Sequence, residues 1–129
     1  MALNNGDGSF DIQALPTEAQ FAPIYAALPG DFDSDGHTDI VVAGNFFGVP
    51  PVIGRYDASY GLLLRGDGAG GLASVDLEAS NLVIDGAVRD LKLLQHVDGQ
   101  LIVVARNGER VKVLRPNEVG RPDYAPEGR

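Results

Sequence analysis

Residues 31–43 read DFDSDGHTDIVVA, so that a run of alternating aspartates leads directly into a short apolar run. Calcium is a hard cation that takes about six to eight oxygen ligands, and a tight loop can supply them from alternate side chains and one backbone carbonyl. Gly36 permits the sharp turn that folds the following residues back toward an ion. We therefore predict a calcium site in this loop. Its expected ligands are four carboxylates and one backbone carbonyl: Asp31, Asp33, Asp35, Asp39 and the carbonyl of His37.

This loop differs from the helix-flanked calcium loops in which a glutamate at position 12 binds through both of its oxygens. Position 12, counted from Asp31, is Val42, and the flanking residues favour strands. Asp39 is therefore expected to take the bidentate role. The alternative is a solvated acidic turn without an ion, because Asp, Ser and Gly favour turns on their own. Four aspartates at this spacing favour the calcium interpretation.

The rest of the chain is typical of a turn-rich β protein. It has 129 residues, enough for one domain, with 17 Gly and 8 Pro that fall between short apolar runs. Between Pro16 and Pro23 there is room for one helical turn at most. We predict an all-β fold with strands at 25–28, 40–43, 60–64, 72–77, 88–94, 101–105 and 111–114.

An internal repeat suggests how these strands are grouped. NGDGSF at 5–10 recurs as RGDGAGGL at 65–72, with Gly66 matching Gly6, and the segments 30–31 and 40–45 recur at 89–90 and 101–107. Each unit contains four predicted strands, which is the pattern of a β-propeller blade. We expect about two four-stranded antiparallel blades per chain.

This repeat also predicts the organisation of the domain. Segment 1–20 would form the outer strands of a partial blade, and 21–80 a blade with the calcium loop. Segment 81–116 would form a degenerate blade that lacks its outer strand, and 117–129 a flexible tail. In the second repeat Asp90 matches Asp31, but Lys92 and Leu94 replace the next two carboxylates, so that we expect no ion there.

Charge and composition exclude several classes of partner. The formal net charge is −8, which would repel a nucleic acid backbone. There is no cysteine, no amino-terminal signal peptide and no apolar stretch of the roughly 18 residues that a membrane-spanning helix needs. The chain is thus either cytoplasmic or a piece of a longer exported protein. We expect the second, with an extracellular or periplasmic location and no insertion into a membrane.

The loop at 31–39, the apolar run at 40–43 and the element at 5–10 together resemble the FG-GAP/VCBS repeats of integrin-α-like β-propellers. The segments 44–51 and 54–61 resemble the last blades of bacterial exported proteins built from such repeats, and the resemblance covers roughly residues 3–115. It implies a propeller with calcium loops between the first two strands of its blades, and a role in adhesion, ligand binding or scaffolding. It also implies the same five calcium ligands as the spacing does.

Two further motifs are candidates for binding. Arg55, Tyr56 and Asp57 lie in a long loop and are candidates to line a surface for a protein or carbohydrate ligand, although packing of the aromatic residues and prolines of this loop onto the sheet is the favoured interpretation. The tripeptide at 65–67, Arg-Gly-Asp, matches an integrin-recognition sequence, but it lies in the repeated hairpin, where a set of turn residues explains it, so that adhesion through it is not predicted.

No catalytic site is predicted, because a hydrolytic site at His37 or His96 would need an activated nucleophile beside the histidine, and the sequence around neither of them indicates one. Three functions are left open. The first is a non-catalytic module for binding or scaffolding, completed by self-association into a homo-oligomer or by neighbouring blades. The second is an accessory domain of an exported enzyme that acts on carbohydrate or in redox chemistry. The third is an excised or engineered propeller fragment whose only role is assembly.

Overall fold

The computed structural model describes residues 1–48, 54, 57–97 and 99–115, and these residues are mostly β. Three antiparallel sheets are present, with the orders β1-β2, β3-β4-β5-β6 and β7-β8-β9. Their strands are β1 (Ala2–Asn4), β2 (Phe10–Ile12), β3 (Ile24–Gly30), β4 (Asp39–Gly44), β5 (Leu62–Gly66), β6 (Leu72–Val75), β7 (Val88–His96), β8 (Gly99–Arg106) and β9 (Lys112–Leu114). A 3-10 helix at Thr17–Gln20 and α1 (Leu77–Ser80) are the helices of the described chain, and each is one turn long. The predicted all-β class is confirmed in this sense.

The main core lies between the four-stranded and the three-stranded sheet. Strand β4 is buried along almost its whole length, as its continuous apolar run predicts. The segment between α1 and β7 contributes Leu82 and Ile84, which are fully buried. The apolar residues at the centre of this core are Val41, Leu63, Val88, Leu91, Ile102 and Val104.

The β1-β2 hairpin lies against the turn between β5 and β6. The Leu3 side chain occupies the space beside Gly70, where any added side chain would overlap it. Phe10 and Ile12, on β2, are exposed. A hairpin of this length is marginal alone, so that contact with the neighbouring sheet contributes to its stability.

Several strand boundaries differ from the predicted ones. The strand expected at 72–77 ends at Val75, because Asp76 precedes α1 and Asn81, with a φ of 51°, closes that helical turn. The strand expected at 60–64 begins only at Leu62, after Gly61 with a φ of 81°. Strand β3 includes Pro29, which has no backbone N–H. An edge strand such as β3 tolerates a proline because no further strand pairs with its outer side.

The β3-β4 and β7-β8 hairpins share distinctive features. Each has an irregularity at the start of its first strand, between Ile24 and Ala26 in one hairpin and between Val88 and Asp90 in the other. The N–H of Asn45 bonds to the carbonyl of Pro23, and the N–H of Asn107 bonds to that of Ala87.

The strand pairing changes which residues of the two hairpins correspond. Ala26 pairs with Ala43 in the first hairpin, and Asp90 pairs with Ala105 in the second. Asp90 therefore corresponds to Ala26, whereas the sequence repeat matches it to Asp31. At the far end His96 pairs directly with Gly99, whereas in the first hairpin loop 31–38 intervenes. The second hairpin therefore closes over a much shorter segment than the aspartate loop does.

The two glycine-rich turns also correspond in a register that differs from the sequence match. Asn4 pairs with Phe10, and Gly66 pairs with Leu72. Gly66 is therefore a strand residue. The glycines with positive φ are Gly6 and Gly8 in one turn, and Gly68 and Gly70 in the other.

Candidate metal centre

The aspartate loop joins two strands that pair up to its base, since Gly30 lies opposite Asp39. Inside it, aspartate side chains accept backbone N–H groups two residues further along: Asp33 from Asp35 at 3.2 Å, and Asp35 from His37 at 2.8 Å. This is the local bonding by which Asp favours turns. The sequence thus shapes the loop by carboxylate–backbone bonds.

Two residues with a left-handed backbone complete the turn. Ser34 has a φ of 65° and Gly36 a φ of 85°. The N–H of Gly36 donates to Oδ2 of Asp31 at 3.1 Å. The predicted role of Gly36 in reversing the chain agrees with this conformation, whereas Ser34 was not singled out.

Asp39 is the structural anchor of the centre. Its side chain is fully buried, with 0% exposed. Its Oδ2 accepts the N–H of Phe32 and its Oδ1 accepts that of Gly66, both at 2.9 Å. One carboxylate therefore connects the start of the loop, the first residue of β4 and the end of β5.

Three of the five predicted ligands come together. Carboxylate oxygens of Asp31, Asp33 and Asp39 lie within 4.8 Å of one another, and the three side chains range from exposed to buried. Asp35 is outside this cluster. Its Oδ2 lies 3.7 Å from Nδ1 of His37, so that the structure directs it toward the histidine. The roles of Asp35 and of the His37 carbonyl as ligands stay predictions.

The neighbouring strand β5 supplies a positive charge to the cluster. Nε of Arg65 lies 2.6 Å from Oδ2 of Asp33, whose side chain is only 12% exposed. Two residues further, Asp67 accepts the N–H groups of Ala69 and Gly71 at 2.8 Å each, and these bonds hold the pKa of its carboxyl below the ordinary value. Both charged side chains of the Arg-Gly-Asp tripeptide are thus bonded within the chain.

The donor set fits a hard divalent cation. All three clustered groups are carboxylates, the oxygen ligands that calcium takes. Each Asp39 oxygen accepts one N–H and keeps a further lone pair, because a carboxylate offers about four acceptor sites. Three negative charges this close repel one another unless a cation stands nearby.

The second predicted site is covered only in part. Arg55 and Tyr56 lie outside the described residues, as does the segment 117–129 that was predicted to be flexible. Asp57 is described and is exposed. The ligand surface stays a prediction.

Sequence reasoning missed Asn45, which connects the two larger sheets. It is 2% exposed, has a φ of 75°, and its amide bonds to Ser59 O and N at 2.6 and 3.1 Å and to Gly86 O at 3.2 Å. Arg89 donates to its carbonyl at 3.1 Å and stacks on Tyr25, 4.2 Å from the ring centroid. The available signal was an asparagine that follows the apolar strand in both halves of the chain.

Among the described residues, no helix has the length and apolar character required to cross a membrane. No family model matches the chain, and no curated protein and no solved structure matches it significantly.

Proposed function

We propose that the protein is a non-catalytic, calcium-binding module of the β-propeller repeat type, which serves in ligand binding or scaffolding in an exported, extracellular or periplasmic protein. The observation that carries this proposal is the cluster of Asp31, Asp33 and Asp39 carboxylates within 4.8 Å, at the point where three strands meet. A calcium ion held there would offset most of the negative charge of the cluster and link the end of β3 to the start of β4. Asp35 and the carbonyl of His37 are the further expected ligands.

The propeller part of the proposal is supported by the arrangement of the sheets. A four-stranded antiparallel sheet packs against a three-stranded one, and their first hairpins share the irregularity and the closing asparagine bond described above. Four-stranded sheets packed side by side are the units of a propeller, which typically has about 4–8 of them.

Open edges support association with further blades. Strand β9 ends its sheet, and Val111 and Val113 beside this edge are exposed, as are Phe10 and Ile12 on β2. Exposed apolar edge strands are prone to pair with another chain. We propose that neighbouring blades of a longer chain, or further copies of this one, cover these edges.

A thermal melt in calcium and in EDTA tests the metal part. If the dissociation constant lies near 10⁻⁴–10⁻³ M, as in extracellular modules, about 10 mM calcium should stabilise the fold by roughly 1.5–3 kcal/mol. Asp31→Asn is the informative variant, because this exposed side chain makes one backbone bond and its loss should change stability in EDTA little. The calcium shift should disappear in this variant and persist in Asp11→Asn, on the exposed hairpin. Equal melting of the unmodified protein in calcium and EDTA would refute the metal role.

Light scattering over a range of protein concentrations tests the self-association. An increase of mass with concentration is expected if copies cover the edges of one another. A monomeric mass at high concentration would refute self-association and leave neighbouring blades as the expected partners.

A further inference from the structure

The most informative contact beyond the carboxylates themselves is the ion pair between Arg65 and Asp33. Its 2.6 Å distance places the guanidinium directly against Oδ2 of one clustered carboxylate. The next residue, Gly66, donates its N–H to Asp39. Two consecutive residues of β5 therefore hold two of the three carboxylates from outside the loop.

The two side chains of this pair differ in exposure. Asp33 is 12% exposed and Arg65 is 47% exposed. A short hydrogen bond between two charged groups is stronger than a neutral one, and a partly desolvated carboxylate depends on it more. The cluster thus already uses one positive charge that belongs to the chain itself.

Binding a divalent ion at Asp33 while this guanidinium stays in place would cost free energy. Both interact with Asp33, and two positive charges within a few ångströms repel each other. A ligand shifts an equilibrium only by its differential affinity for the two states, so that the free energy of breaking the ion pair is subtracted from the free energy of metal binding.

We propose that Arg65 is an internal competitor of the metal ion: its guanidinium holds Asp33 when calcium is absent, and calcium displaces it. This inference rests on the proposed calcium function. Arg65 therefore lowers the affinity of the loop for calcium, while it keeps the loop ordered in the metal-free protein. The arginine of the Arg-Gly-Asp tripeptide would thus act within the chain, as the metal-free partner of Asp33.

Calorimetric titration with calcium chloride of the full chain, the Arg65→Gln variant and the Arg65→Lys variant tests this role. Arg65→Gln should bind calcium about five-fold more tightly, which corresponds to about 1 kcal/mol, the upper range for a partly exposed ion pair. Arg65→Lys keeps the charge, so that its affinity should stay close to that of the unmodified protein. Arg110→Gln is the matched control, because it removes the same charge from an exposed position near β9 of the three-stranded sheet.

Melting curves provide a second readout that a merely structural arginine would not reproduce. In EDTA, Arg65→Gln should melt below the unmodified protein. In saturating calcium the difference should shrink or reverse, because the competing charge is gone. A purely structural role would lower both melting temperatures equally, and that result would overturn the inference.

The outcomes of the titration separate the two proposals. Equal or weaker calcium binding by Arg65→Gln, with binding by the unmodified protein intact, overturns the competition and leaves the calcium site standing. Binding by Arg65→Gln alone supports the competition in its strongest form. No binding by any variant overturns the calcium function and this inference together.

Discussion

Replacing Asp39 with alanine would remove the carboxylate that bonds to the N–H groups of both Phe32 and Gly66. A hydrogen bond to a charged group contributes roughly 1.5–3 kcal/mol, and a buried donor without a partner costs about 1–3 kcal/mol. Because the side chain is fully buried, we expect Asp39→Ala to lower the free energy of unfolding by about 3–5 kcal/mol. Asp39→Asn keeps one acceptor oxygen, so that its loss should be about half as large.

Urea unfolding followed by circular dichroism in the presence of EDTA isolates this effect from metal binding. A change of this size is a large part of the roughly 5–15 kcal/mol that stabilises an ordinary domain, and it should lower the melting temperature by roughly 10–20 °C. Asp11→Ala removes a carboxylate from the exposed hairpin and should change stability by less than about 0.5 kcal/mol.

A loss below about 1 kcal/mol for Asp39→Ala in EDTA would refute this reasoning. It would mean that the bonds to Phe32 and Gly66 contribute almost nothing net to the stability of the fold. An equal loss for Asp11→Ala would instead indicate a general effect of charge.

Two further predictions concern groups that connect separate elements. Asn45→Ala should lower the free energy of unfolding by about 2–4 kcal/mol, because it removes the amide bonds to Ser59 and Gly86 and places alanine at a φ of 75°. Asn45→Gly should recover about 1 kcal/mol of this loss in urea unfolding, since glycine adopts this φ without strain, and equal losses would contradict the backbone part. The hydrogen bond from Lys112 holds the pKa of Asp85 below its ordinary value. Because the folded-state pKa is the lower one, this stabilisation is present above the unfolded-state pKa of about 3.9 and is lost as the pH falls through the folded-state value. Asp85→Asn should therefore reduce the loss of unfolding free energy at acid pH by up to about 1 kcal/mol, a small value because the side chain is half exposed. An unchanged stability–pH profile would contradict this role of Asp85.

The sequence predicted the features that depend on local chemistry. The alternating aspartates and Gly36 indicated a turn, and the carboxylate–backbone bonds of the loop agree with it. The apolar run that follows indicated a buried strand, and β4 is buried along almost its whole length. The restriction of the segment between Pro16 and Pro23 to one helical turn is also confirmed.

The features that depend on tertiary contacts could not be read from the sequence. Asp39 is the same residue type as the three aspartates before it, and only the approach of Phe32 and Gly66 makes it an anchor. The sequence alone also does not show which glycine of a glycine-rich turn adopts a positive φ. Matching Gly6 to Gly66 is natural in sequence, whereas strand pairing matches Gly6 to Gly68 because pairing decides which glycine must adopt a positive φ.

The direct pairing of His96 with Gly99 has a consequence for how far any effect of an ion would spread. The β7-β8 hairpin closes without a long loop like that at 31–38, so that a hairpin of this pattern does not require such a loop. The response to calcium should then be local. Slower amide hydrogen exchange on metal addition is expected near residues 31–39 and at Gly66, while the exchange of β7 and β8 should be almost unchanged.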